Sequence, residues 1–241
     1  MTLTWFTDLP AALAEARRTH RPVLSLRLLG RLDEPLSCAN SRFFRRMLYP
    51  EPRIHQMLRD AFVLHWQSVR PVPLVTIDFG NGRRIHKPLI GNSLHLVLDA
   101  DGHPIDALPG LFDPATFLAL LERAHAMAAG GRARLAVNHE RALRQASPPP
   151  RSVPVPRRRA EAASMLAPTK HMVEAPLLRG VQPVDVVADT RTNLELHARI
   201  HEVFAAGASW TAEELVDWIY RELFLMPPDD PFLGLDVADP V

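Results

Sequence analysis

One cysteine, two lysines and no long apolar run set the first limits on this 241-residue chain. The lone Cys38 excludes an internal disulfide and any zinc site built on paired thiols, so stability has to come from packing. No segment approaches the ~20 consecutive apolar residues that cross a bilayer. Met1-Thr2-Leu3-Thr4-Trp5-Phe6 offers no basic start before an apolar stretch, so a cytoplasmic protein without membrane insertion is expected. Scarce lysine, arginines without interleaved aromatics and the lack of any nucleic-acid motif argue against a nucleic-acid partner. Neither a glycine-rich phosphate loop nor a serine nucleophile elbow occurs, and no cofactor is expected. Gly80-Asn81-Gly82 reads as a hairpin turn and Gly130-Gly131 as a break between helices.

What is present is an ordinary globular balance, 47% hydrophobic and 23% charged residues. The 23 prolines are unevenly placed and crowd between Pro148 and Pro156. The net charge of +1 hides an asymmetry: from Asp185 to Val241 there are 12 Asp or Glu against 3 Arg, which leaves that stretch at −9 and the rest basic. Together these features divide the chain into an α/β domain over 1–128, a helical and Pro/Arg-rich connector over 129–160, read as a spacer, and an acidic helical extension over 161–241.

Asp8 caps a predicted helix in which Leu9, Ala12, Leu13 and Ala16 share one face. Pro22 then opens a β-type run over 23–29. Cys38 to Tyr49 reads as a helix with Phe43, Phe44, Met47 and Leu48 on one side, followed by a short helix over 53–60 and a strand over 61–66. Residues 75–79 and 84–86 form a predicted hairpin, an insertion, and Asp99-Ala100-Asp101-Gly102 turns a second strand pair. Asp113-Pro114 starts the helix that carries Phe117, Leu118, Leu120 and Leu121. Further on, 189–206 presents Leu196, Ile200, Val203 and Phe204 at helical spacing, and Thr211-Ala212-Glu213-Glu214 is a capping box before Leu215, Trp218, Ile219 and Leu223. Two such helices must rest on the first domain, on a second copy or on another protein.

This order resembles the thioredoxin-like superfamily over about residues 4–128. It is carried by Ala16-Arg17 and Pro22-Val23 before the first core strand, Cys38-Ala39-Asn40-Ser41 at a helix start, Ala61-Phe62-Val63 and Leu98-Asp99-Ala100-Asp101-Gly102. The resemblance implies a mixed sheet flanked by helices, here with a β-hairpin insertion and a helical C-terminal extension. It also implies a reactive thiol at Cys38, with Ser41 beside it and Asn40, Arg42, Asn92, Ser93 and His95 near by. Three departures stand out: Ser41 replaces the second cysteine, Ser93 falls where the family has its cis-proline, and Leu26 falls where it has its buried carboxylate. A dithiol cycle within one chain is therefore impossible.

A thiol at a helix N-terminus favours thiolate, and Arg42, Arg45 and Arg46 would add to that, although such a run more often forms a solvated face. His197 and His201 stand i, i+4 with Glu195 and Glu202 close by. No glutamate lies between them and no third ligand is visible, so they read as a polar flank of the Leu196 and Ile200 stripe and no metal is expected. His95 alternates with core residues and reads as a core histidine. Two functions follow, with metal binding through histidines as a third, minor reading. The first is an accessory protein that binds a partner or self-associates through Leu196, Ile200, Phe204, Trp218 and Ile219. The alternative is a monothiol redox protein using Cys38 in mixed disulfides.

Overall fold

The computed structural model describes residues 3–34, 37, 39–89, 91–145 and 183–234. Cys38, the Pro148–Pro156 cluster and the last seven residues lie outside the described residues.

The chain opens with a two-residue strand β1 (Trp5–Phe6). Helix α1 (Leu9–Thr19) starts on Asp8, whose carboxylate accepts from the Ala11 amide, and ends where His20 turns left-handed. Strand β2 (Val23–Leu29) is buried along its whole length. Helix α2 (Ala39–Phe43) widens into a π-helical turn over Phe44–Leu48. That widening rotates the expected apolar side: Phe44 and Leu48 are buried, but Met47 is 61% exposed and leaves the core. Helix α3 (Pro52–Ala61) is capped by Glu51, and it holds Ala61, so β3 runs later than expected, over Val63–Arg70.

The hairpin β4 (Leu74–Asp78) and β5 (Arg84–Pro88) forms a two-stranded sheet of its own. Strands β6 (Ser93–Leu98) and β7 (Pro104–Pro109) follow, joined through the turn at Gly102. Asp113 then caps α4 (Pro114–Ala129) by accepting from the amides of Ala115 and Thr116. After a short 3-10 turn come α5 (Leu135–Gln145) and α6 (Pro183–Ala205). The last helix, α7 (Ala212–Trp218), opens on the full capping box of Thr211 and Glu214 and continues as a π-turn over Ile219–Leu223.

The main sheet has the order β1-β3-β2-β6-β7, with β1, β3 and β2 parallel and β6 and β7 antiparallel. Leu24, Leu26 and Leu28 of β2 face a core with Phe44 from the π-turn after α2, Ile54 and Leu58 from α3, and Phe117 from α4. The opposite face of the sheet, with Val23, Leu29, Leu94, Leu96 and Leu98, is covered by α1 and by Ile200, Phe204, Leu215, Val216 and Ile219. The extension thus lies on the chain's own sheet. Helix α6 crosses the β7 edge: Val186 packs on the first core, whereas Ile200 and Phe204 belong to the second. Among the described residues no helix is long and apolar enough to cross a membrane.

Candidate functional site

Three features of this framework bear on chemistry or recognition, the first being the corner that adjoins Cys38. Helix α2 begins at Ala39, directly after it. Asn40 donates from Nδ2 to Asn92 Oδ1 at 3.0 Å and to Ser93 Oγ at 3.2 Å, tying the start of α2 to the start of β6. Asn92 Oδ1 also accepts from the Ser93 amide. Asn40, Asn92 and Ser93 are therefore brought together, while Cys38, the thiol they were expected to surround, lies outside the described residues; no cis peptide occurs among the described residues.

Ser41 is buried and donates to Ser37 Oγ, which also accepts from Arg45 at 2.9 Å. Arg45 reaches the Glu34 carbonyl as well, so this arginine serves the loop before α2 instead of forming a wholly solvated face. Arg42 is half-buried. His95 is fully enclosed: Tyr49 Oη lies 2.8 Å from its Nε2, and its ring stands 4.7 Å from Phe44 and 4.9 Å from Phe117. Burial depresses its pKa to about 3, so it stays neutral and acts in the core. Beside this corner an aromatic cleft of about 510 Å³ is lined by Trp5, Tyr49, His55 and Trp66, with Asp33 and Arg45 as its charged residues.

The second feature is the arm formed by β4 and β5. Among the described residues its two strands pair only with each other, and Leu74, Phe79 and Leu89 are 49%, 52% and 42% exposed. Its one carboxylate, Asp78, is engaged by Arg84 at 2.8 Å and by the Gly80 amide. Arg83 and Lys87 form no ion pair among the described residues. A lone two-stranded ribbon with both edges free invites a further strand.

By contrast, the side chains expected to reach a partner from the extension are used at home. Ile200 and Ile219 are fully buried and Phe204 is 6% exposed, while Leu196 and Trp218 are half-buried against the same core. The expectation of a partner surface there is corrected, because the sheet face needs this cover.

The third feature gives His197 and His201, read as a polar flank of the Leu196 and Ile200 stripe, an interior setting. Both are buried, 1% and 3% exposed, because α6 turns Thr190, Asn193, His197 and His201 inward. Thr190 Oγ1 accepts from the Asp113 amide, and Asn193 Nδ2 donates to the Leu111 carbonyl. His197 Nε2 lies 2.8 Å from Oδ1 of Asp106 on β7, and His201 Nδ1 lies 4.0 Å from the same oxygen. His139 of α5 donates from Nε2 to the Ile105 carbonyl at 2.9 Å, which leaves its Nδ1 lone pair 2.6 Å from His201 Nδ1.

Arg123 of α4 donates to His201 Nε2 at 3.1 Å and approaches His197 Nδ1 at 3.4 Å. A guanidinium only donates, so the network assigns the His197 proton to Nε2, facing Asp106, and the His201 proton to Nδ1, facing His139. Burial alone would raise the Asp106 pKa, yet His197 and His201 beside it hold its carboxyl well below the usual range. Burial pushes His201 down to about 3 and lowers His139 also. Asp106 Oδ2 is buried without a partner among the described residues. Pattern reading missed Asp106, Arg123 and His139, although a carboxylate within the apolar run 104–109 was a visible clue.

No protein-family model matches this chain, and no curated protein is found to be similar to it.

Proposed function

We propose that this chain is a thioredoxin-like accessory protein that binds another protein, and that its contact element is the β4–β5 arm. The thioredoxin-like part is supported by the strand order, by the change from parallel to antiparallel strands at β6, and by α2 beginning directly after Cys38. Accessory work is favoured over dithiol catalysis by the single thiol, by the burial of Ser41 and by leucine at position 26. The observation that carries the binding role is the exposure of Leu74, Phe79 and Leu89 on a ribbon whose two edges pair with no other strand among the described residues. An extended acidic segment of a partner protein fits it. Backbone pairing would add a strand, and carboxylates would meet Arg83 and Lys87.

The deciding experiment places a photoreactive residue at position 79 of the whole chain, with exposed Val137 as the control position, and irradiates it in the host cell. One discrete adduct from position 79, lost when Arg83 and Lys87 are both changed to Glu, is the expected result. Adducts no more discrete than those from position 137 would overturn the reading.

A second reading, thiol exchange at Cys38, is favoured by the Asn40 link to Asn92 and Ser93. In that step a Cys38 thiolate attacks a disulfide, one new S–S bond forms, the other sulfur leaves as thiolate, and an external thiol reverses the exchange. Alkylation against pH tests it: an inflection well below ~8.5 supports exchange, and one at or above that value rejects it.

A further inference from the structure

Asp106, His197 and His201 offer three protein donors converging inside the molecule, His139 Nδ1 lies 2.6 Å from His201 Nδ1, and we propose that the four form a structural site for a divalent transition metal, zinc by its donor set. One atom each of Asp106, His197 and His201 lies within 4.8 Å of the other two. The separations of 2.8 Å and 4.0 Å from Asp106 Oδ1 bracket the ~3.3 Å edge of a tetrahedron with metal–ligand bonds of about 2.0–2.1 Å. His139 is the fourth donor. Its Nε2–H is committed to the Ile105 carbonyl, the outer-shell hydrogen bond that fixes a ligating imidazole with its other nitrogen free. The second independent observation is Asp106 Oδ2, an oxygen of a fully buried carboxylate with no hydrogen-bond partner among the described residues. Closed, four-protein-ligand surroundings with no exposed member suit a structural ion and not a catalytic one.

Arg123 decides how the ion is accommodated. Its guanidinium draws the lone pairs of His197 Nδ1 and His201 Nε2 outward, which leaves N–H groups facing the centre. Metal binding needs the opposite tautomers, with each proton moved to the nitrogen that Arg123 now faces, and two donors cannot face each other there. Arg123 is half-buried, so its flexible stem can carry the charge into water. One cation thus replaces another beside the two imidazoles, and no proton is gained or lost. The ion would join β7, α5 and α6, fastening the C-terminal extension to the sheet.

The test uses the full chain, unfolded in urea with chelator and then refolded with cobalt(II) or zinc(II) added. The expected outcome is one ion per chain, with visible absorption from tetrahedral cobalt that zinc displaces. His197→Gln should weaken binding at least 100-fold, while Arg123→Gln should tighten it about tenfold or more. Wild-type protein that refolds without taking up cobalt overturns the site whatever the variants do. Equal affinity in His197→Gln overturns it by placing the ion elsewhere, and an Arg123→Gln affinity that is unchanged or weaker overturns the exchange of cations.

Discussion

Glu213 and Arg27 form an ion pair in which the two partners are unequal, and their replacement should show it. Arg27 sits in the middle of the central strand with its side chain 2% exposed, donating to Ser25 Oγ and, at 2.9 Å, to a Glu213 carboxylate whose side chain is 65% exposed. Burial lowers the arginine's pKa, Glu213 works against that shift, and Nη2 is buried with no partner among the described residues. Removing one member of a fully buried pair costs about 3–5 kcal/mol, but water reaches Glu213, which reduces the loss to about 1–2 kcal/mol. Glu213 also lies in the first turn of α7, where a negative charge contributes ~0.3–1 kcal/mol. Glu213→Gln should therefore destabilise by about 2 kcal/mol. Arg27→Met removes the buried charge, fills much of its volume and leaves a carboxylate content in water, so it should stay within about 1 kcal/mol of wild type. Urea unfolding at pH 7 followed by circular dichroism, with m unchanged, reads both. Should Arg27→Met prove the more damaging of the two, the account of this pair as charge burial compensated from outside is wrong.

Two further predictions concern the sheet. His65 and His95 are held neutral by burial, with pKa values near 4 and near 3, against about 6.5 in the unfolded chain. Because the unfolded chain binds more protons below pH 6.5, the stability they confer is full above that value and is lost as pH falls toward 4. Each contributes ~1.4 kcal/mol per pH unit in that window. Unfolding free energies between pH 4.5 and 6.5 should fall less steeply by about that amount in His95→Phe, and an unchanged slope would count against the assignment. Gly110 has φ +72° and a Cβ there would stand 2.5 Å from the Asn193 amide. Gly110→Ala should cost at least ~1–2 kcal/mol from the backbone alone and loosen α6, read as faster hydrogen exchange over 186–204. Unaltered exchange would show that the helix does not depend on this close approach.

Much of the fold was written in short-range chemistry. Asp8, Asp113 and Thr211 cap the helices they precede, and the Asn81-Gly82 and Asp101-Gly102 turns close the strand pairs expected of them. These features depend on neighbours within four residues, which a linear reading contains. Met47 escaped because the π-turn at 44–48 breaks the 3.6-residue period on which its placement relied. The histidines of α6 escaped for a different reason. The rule that the apolar stripe is the buried one fails where a helix crosses an edge strand, because exposed carbonyls and amides there need polar partners. Thr190, Asn193, His197 and His201 supply them, and their companions lie 62 to 91 residues away along the chain. At the corner beside Cys38, counting from local motifs placed Asn40, Asn92 and Ser93 together, yet Ser41 proved to be turned to Ser37.

Helices α6 and α7 cover a sheet face that α1 alone leaves open, and this bears on how the molecule is made. During synthesis the five strands and α1 to α5 leave the ribosome before the residues that seal Val23, Leu94 and Leu96 have been translated. For that interval the nascent chain carries a sticky surface, so slowing translation after residue 145 should raise its demand for chaperones.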